Sequence, residues 1–308
     1  WAVIDSAIND KITPGAQVFI AKNGKIVSSR GFGFQTYDNN SPPITEESIY
    51  DVASLTKVLA TTPITMKLIA QKKIGLEQRV SQFFPQFNTN HKDKITIRHL
   101  LTHSSGLKPF VEFFKFTPIP SEDEILGHIL DADLDFIPGK KYQYSDLGMI
   151  VLKEIIEDVS NRPLNELAHS WLYKPLGMKL TMFNPPGNIK TQIVPTEIDN
   201  IYRKRLLQGE VHDENAHVLG GVSGHAGIFS TASDIGKYSQ MMLNDGRWIG
   251  RRTFKRKQVK EFTQVHYLPK DSERTLGWDT PSMNGKSSAG DYFSSSTFGH
   301  LGYTGTSL

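Results

Sequence analysis

Cysteine is absent from this 308-residue chain, which excludes disulfides, thiolate metal sites and a cysteine nucleophile. The compartment stays open, because many exported proteins carry no disulfide. Long apolar runs are also missing: no window reaches the roughly 18 apolar residues that a bilayer-spanning helix needs. Nor is there an excess of either charge. Lys and Arg number 35 against 32 Asp and Glu, for a net charge of +3, too small for the sequence-independent phosphate binding of nucleic-acid proteins. The strongest basic run, Arg251-Arg252-Thr253-Phe254-Lys255-Arg256-Lys257, is expected in a surface helix as a solvated face. No G-x-S-x-G elbow occurs, which argues against an α/β-hydrolase, and no fixed-period repeat or low-complexity tract is present.

With 38% hydrophobic residues, the chain can bury a large core, as one big domain or two joined lobes. Trp1 to Lys11 has the spacing of a short amphipathic helix. Strands are predicted over Ala16 to Lys22 and Lys25 to Gly31, joined by Asn23-Gly24, the pair suited to a type I′ turn because both central residues need positive φ. A helix is predicted to carry Ser54 and Lys57, with Pro63 kinking or dividing it. Further helices are expected at Ile97 to Leu101 behind a Thr96 cap, Ser145 to Val159, Leu164 to Tyr173 and about Ser233 to Asn244. Thr297 to Gly305 reads as a strand. Early hairpin, central helices and late strand give an α+β fold: an antiparallel sheet flanked by helices, with an inserted helical lobe. The expected division is 1–75 and 231–308 for the two parts of the sheet lobe and 76–230 for the helical one. A cleft between the lobes is the expected place for a site.

Ser54-Leu55-Thr56-Lys57 places a hydroxyl and an amine one helical turn apart, so that the two face each other. A lysine held close to a serine, and desolvated so that its pKa falls, can take the hydroxyl proton. Four letters are weak evidence alone, and a second match, Ser105-Gly106-Leu107-Lys108, is expected in a loop. Tyr144-Ser145-Asp146 and His300-Leu301-Gly302 follow in order.

With these three motifs the chain resembles the serine β-lactamase and penicillin-binding protein family, on the side of the class C β-lactamases, D,D-peptidases and their esterase relatives. Further matching landmarks are Ile97 to Leu107, Lys174 to Met178 and Gly224 to Thr231. The resemblance covers essentially the whole chain. It implies Ser54 as an acylated nucleophile, Lys57 and Tyr144 sharing the proton transfers, and backbone N–H groups of Ser54 and Tyr303 as oxyanion donors. Gly302 is expected to leave room for substrate along the strand. Two positions depart from the commoner pattern. Asp146 stands where Asn is usual, placing a carboxylate where it can hold Lys57 charged or repel an anionic substrate. His300 stands where Lys is usual, so a cation for a substrate carboxylate is expected to be lost above about pH 6.5.

The resemblance also implies two more strands and a C-terminal helix after the His-x-Gly strand, lying between it and the N-terminal hairpin. A gap in the sheet, or a substitute strand, is therefore expected. The expected activity is that of an extracytoplasmic serine hydrolase acting on D-amino-acid cell-wall peptides, with small peptides, β-lactams or esters as substrates. A carboxylesterase, a D-aminopeptidase or a penicillin-binding sensor without turnover are the alternatives. No cofactor, metal, nucleic acid or membrane-spanning segment is expected. Starting at Trp1, the chain is expected to be a mature or trimmed form, which leaves room for a removed signal peptide, and the resemblance is compatible with fusion to another cell-wall enzyme domain.

Several features have plainer readings. His99 and His103 have an i, i+4 spacing, but Leu100 follows His99 where zinc hydrolysis needs Glu. His212, His217 and His225 match no common metal spacing. The glycine-dense run Gly220 to Gly227 lacks the G-K-[ST] ending of a phosphate loop, and tight turning explains it better.

Overall fold

The computed structural model describes residues 1–282 and 290–308. After helix α1 (Ala2–Asn9), strands β1 (Gly15–Lys22) and β2 (Lys25–Gly33) form the antiparallel hairpin expected from Asn23-Gly24. Both turn residues have positive φ, 53° and 72°, as a type I′ turn requires. The central three-stranded sheet is assembled from distant segments: β3 (Tyr50–Asp51), β4 (Met182–Phe183) and β7 (Ile228–Ser230), in the order β3-β7-β4 and antiparallel throughout. Two short hairpins form separate sheets, β5 (Ile198–Asp199) with β6 (Arg205–Leu206), and β8 (Arg247–Trp248) with β9 (Arg251–Arg252).

The helices are α2 (Thr62–Ala70), α3 (Ile97–Leu101), α4 (Glu122–Asp131), α5 (Asp146–Ser160), α6 (Leu164–Ala168), α7 (Lys174–Leu176), α8 (Glu214–Val218), α9 (Ala232–Leu243) and α10 (Arg256–Thr263). Helix α5 is the core helix. It starts where Ser145 Oγ accepts the Gly148 N–H at 3.1 Å and stops at Asn161 in the left-handed region, φ 53°, a residue type that tolerates it. Leu147, Met149, Ile150, Val151, Leu152, Ile155 and Ile156 are all buried, each contributing on the order of 1.5–3 kcal/mol by leaving water. They pack in one cluster with Leu55, Val58, Leu59 and Ile64 from the segment carrying Ser54.

That segment is not the regular helix expected. A 3₁₀ turn at Ala53–Leu55 is followed by a π-helical turn, Lys57–Thr61, and α-helix begins only at Thr62. Pro63 has no N–H to give the carbonyl four residues back, and that acceptor, Leu59 O, takes the Tyr173 hydroxyl at 3.3 Å. A wider turn before the proline accommodates the missing bond. The basic run also differs from expectation: Arg251 and Arg252 form β9, and only Arg256 and Lys257 enter α10.

The late strand is short. β10 (Leu301–Gly302) pairs with β11 (Thr306–Ser307), and Gly299 bridges to Asp279. Among the described residues no ladder joins this hairpin to β1–β2, which is the gap anticipated from the motif pattern. Among the described residues no helix is long and apolar enough to cross a membrane.

Candidate active site

Ser54 is half-buried between the buried Ala53 and Leu55, at the turn that follows β3. Ala53 adopts φ 46°, uncommon for a residue with a Cβ. Lys57 is fully buried and donates to Ser54 Oγ at 2.9 Å and to the His225 carbonyl at 3.0 Å. Thr56 and Thr61 clip the same glycine-rich strip: Thr56 Oγ1 accepts the Ile228 N–H at 3.1 Å, and Thr61 donates to Gly224 O at 2.6 Å. Gly224 permits this approach, since a Cβ there would come within 2.9 Å of the Lys153 Cβ and closer still to the Met149 carbonyl. The glycine run thus serves backbone packing.

Tyr144, Ser145 and Asp146 arrive from the start of α5. Asp146 Oδ1 lies 2.8 Å from Lys57 Nζ, and the ammonium sits 4.8 Å from the centre of the Tyr144 ring. Burial alone would lower the lysine pKa, but Asp146 and Tyr144 more than offset it and the net direction is upward. The desolvated, neutral lysine anticipated from the motif is therefore not what the site contains. Lys57 is a cation, held so by the carboxylate at position 146.

His300 comes from the end of the chain, its ring 6.0 Å from that of Tyr144. Its Nδ1 lies 2.7 Å from Leu301 O, and its buried Nε2 has no partner among the described residues. Burial, reinforced by Lys57 and Arg274, pushes its pKa down to about 3. This corrects the expectation of an imidazole that titrates near neutrality: His300 is neutral at every physiological pH. Gly302 has a packing reason of its own. A Cβ there would meet Thr306 Oγ1 and come within 2.6 Å of Val52 O, so the glycine lets the β10–β11 hairpin lie against the turn that carries Ser54. Thr304 and Thr306 fasten that contact by donating to Asp51 O at 2.7 Å and Val52 O at 3.2 Å. The Tyr303 side chain is exposed, and its ring stands 5.4 Å from that of His212.

Several residues that the motifs did not mark complete the site. Arg274 is buried, with its guanidinium 5.5 Å over Tyr144 and 5.1 Å over Tyr142, and its Nη1 3.2 Å from Asp279. It supplies the fixed cation near Tyr144 that His300 does not. The His103 ring lies against that of Tyr144, centres 4.5 Å apart and tilted by 33°, and its Nδ1 accepts the Ser145 N–H at 3.1 Å, which fixes the entry to α5. His99 closes the α3 capping box, its Nδ1 accepting the Thr96 N–H at 3.1 Å. The i, i+4 histidine pair thus serves two backbone caps. His225 Nε2 lies 2.8 Å from Asp213 Oδ1, and its Nδ1 2.8 Å from Ser223 Oγ. Burial would raise the Asp213 carboxyl, but His225 holds it below the usual carboxylate range.

Asp146, Asp213 and His225 offer ligand atoms within 4.8 Å of one another. All three already serve this network: Asp146 faces the Lys57 ammonium, and Asp213 pairs with His225. His212 and His217 turn to other carboxylates, Glu197 at 3.1 Å and Glu210 at 3.9 Å. Ser105 and Lys108 lie in the loop after α3, Ser105 buried and Lys108 exposed, so the second S-x-x-K match does not form a facing pair at a helix start. Sequence spacing alone gave no sign of Arg274 or Asp213. His103 was visible only as one half of the zinc-like spacing.

The Beta-lactamase family model matches residues 2–308. The N-acetylmuramyl-L-alanine amidase of Bacillus subtilis (strain 168) is 32% identical over 332 residues, covering 95% of this chain and 73% of the relative. A Salmonella agona protein bearing the provisional name D-alanyl-D-alanine carboxypeptidase is 34% identical over 327 residues, covering 95% and 74%. Among solved structures, the hydrolase EstCE1, described as having promiscuous acyltransferase activity, superposes with a TM-score of 0.77 at 21% identity, covering 99% of this chain and 87% of that one. FmtA of Staphylococcus aureus gives 0.71 at 22% identity, covering 90% and 74%.

Proposed function

This chain belongs to the serine β-lactamase family and is a hydrolytic enzyme, and from that premise we propose that it forms an acyl-enzyme on Ser54 with cell-wall peptides that carry D-amino acids. The observation that carries the reading is the Ser54 Oγ to Lys57 Nζ contact of 2.9 Å, with Asp146 on the far side of the ammonium. Ser54 attacks the substrate carbonyl. Its proton passes to the Tyr144 oxygen and on to the leaving nitrogen, while Lys57 and Arg274 balance the charge. Lys57 acts in this scheme as a fixed proton donor that orients Ser54, because Asp146 keeps it charged. The backbone N–H groups of Ser54 and Tyr303 receive the developing oxyanion. Water then releases the acyl group by the reverse path.

A second reading concerns which amide is cut. The neutral His300 offers no charge on the strand for a terminal carboxylate, and one relative is named an amidase of N-acetylmuramyl-L-alanine. Both favour an amide further up the muramyl peptide over the terminal D-Ala-D-Ala bond. Cell-wall substrates place the enzyme outside the cytoplasm.

Mass spectrometry of the folded protein after exposure to a labelled penicillin, a D-Ala-D-Ala peptide, a muramyl-L-alanine amide and a short-chain ester tests these readings. The expected result is an adduct on Ser54 that turns over with at least one peptide amide, and that is missing in Ser54→Ala protein whose melting temperature stays within a few degrees. A long-lived penicillin adduct without peptide turnover would make the protein a sensor. Turnover of the ester alone would make it an esterase. No adduct with any of the four would sink the acyl-enzyme reading.

A further inference from the structure

Asp51 is fully buried three residues before Ser54, and the chemistry described so far gives it no task. Its carboxylate accepts two backbone N–H groups from separate parts of the chain: Ala53 at 2.8 Å on Oδ1 and His212 at 2.6 Å on Oδ2. The first of these residues is the one in the left-handed conformation immediately before Ser54. The second precedes Asp213, which holds His225 through its side chain. His225 in turn offers its carbonyl to Lys57, and Lys57 donates to Ser54. The contacts close a circuit: Asp51, His212, Asp213, His225, Lys57, Ser54, Ala53 and back to Asp51.

We propose that Asp51 is a positioning residue for the nucleophile, whose ionised carboxylate fixes the Ala53 turn on one side and the His212-Asp213 segment on the other, so that Ser54 and the lysine it faces are set by one closed ring of contacts. This rests on Ser54 being the nucleophile, as proposed above.

The chemistry of the carboxyl group explains why the charge matters. An ionised carboxylate accepts on both oxygens, whereas a protonated one turns an O–H toward one of the two N–H groups and loses that bond. A left-handed Ala53 costs energy and persists only while its surroundings hold it. Losing the bond therefore frees the turn that aims Ser54. Burial raises the Asp51 pKa to about 6, against the lowering effect of the His212 and Ala53 N–H groups. The charged groups that act on it are His212, which favours the carboxylate, and Asp213, which opposes it. The circuit is thus expected to loosen as pH falls through about 6.

The test is the rate of Ser54 acylation by p-nitrophenyl acetate, followed from about pH 5 to pH 8, in the wild-type chain, Asp51→Asn and Asp213→Asn. The asparagine at 51 keeps one acceptor and presents an NH2 to the other N–H. At 213 an amide oxygen can still cap α8 by accepting the Ala216 N–H, now 2.7 Å from Asp213 Oδ1, so this variant serves if Asp51→Asn fails to fold. Acylation in wild type should fall below about pH 6, and Asp51→Asn should be slower by roughly 10- to 100-fold at neutral pH, the scale of a misplaced reacting group. Its acid limb near pH 6 should be gone, a change that loss of packing alone does not produce. Asp213→Asn should be slowed at neutral pH but retain the limb. Variants acylating within twofold of wild type, or an acid limb unmoved in Asp51→Asn, would overturn the inference. Wild-type protein that forms no Ser54 adduct with this ester or any other acyl donor would strike the hydrolase reading itself, and this inference with it.

Discussion

Lys57 Nζ lies 2.8 Å from Asp146 Oδ1, so the amine that faces Ser54 is a cation in the resting site. A buried ammonium without that partner would shed its proton far more easily, because desolvation is the largest influence acting on it.

Replacing Asp146 by Asn should therefore lower the Lys57 pKa and let the lysine work as a base. The expected outcome is a displaced pH profile for Ser54 acylation, with the neutral-pH rate changed by at least about tenfold. A profile identical to wild type would mean that Asp146 does not set the charge of Lys57.

Binding of carboxylate-bearing peptides should ignore the imidazole. With the His300 pKa near 3, KM for a D-Ala-D-Ala peptide is expected to stay flat between about pH 5.5 and pH 8, the range in which an ordinary histidine titrates. A rise in KM centred near pH 6.5 would show that the side chain is charged and solvated when substrate binds.

Protonating Asp51 loosens its circuit but relieves the burial of a charge, which is the larger effect on this group, so the fold as a whole should be more stable in mild acid. Its pKa is about 6 in the folded protein against an ordinary 3.8, so the native state holds the proton more tightly than the unfolded chain does. The contribution is fully present below about pH 3.8 and is lost as pH rises through about 6, a swing on the order of 3 kcal/mol at about 1.4 kcal/mol per pH unit. Urea unfolding at several pH values, compared with Asp51→Asn, isolates it. The difference between the two proteins should change across this window, and a constant difference would refute the raised value.

Gly302→Ala should separate the hairpin from the turn that carries Ser54. The new Cβ would press on Val52 O at 2.6 Å and on the Thr306 side chain, an overpacking cost of roughly 1–3 kcal/mol. Ser54 acylation should fall even with substrates too small to lie along the strand. A variant impaired only with long peptides would return Gly302 to the role of clearing space for substrate.

The early hairpin was legible because the Asn23-Gly24 turn depends only on local φ preferences. Ser145 was legible as the start of α5, and Thr96 as the cap of α3, for the same reason. Ser54, Lys57, Tyr144, Asp146 and His300 were recognisable from motif order, and the structure brings them together. The irregular turn at Lys57–Thr61 was not read, although Pro63 was its visible cause: the outcome depended on Tyr173, more than a hundred residues away, occupying the freed Leu59 carbonyl. The extended late strand was overcalled because β-propensity says nothing about which neighbours supply a ladder.

Residue types and motif order marked Ser54 and Lys57 as the candidate catalytic pair and pointed to the family to which the chain belongs. They also placed a carboxylate at 146 and an imidazole at 300. Only the tertiary structure decided the charges: Lys57 is kept positive and His300 is kept neutral. Protonation follows burial and distance to other charges, and Lys57, Asp146, Arg274 and His300 meet only after segments far apart in the chain have packed together. Asp51 shows the same division. Its place beside Ser54 is a fact of sequence, whereas the His212 N–H that makes it one link of a closed circuit comes from 161 residues further along the chain.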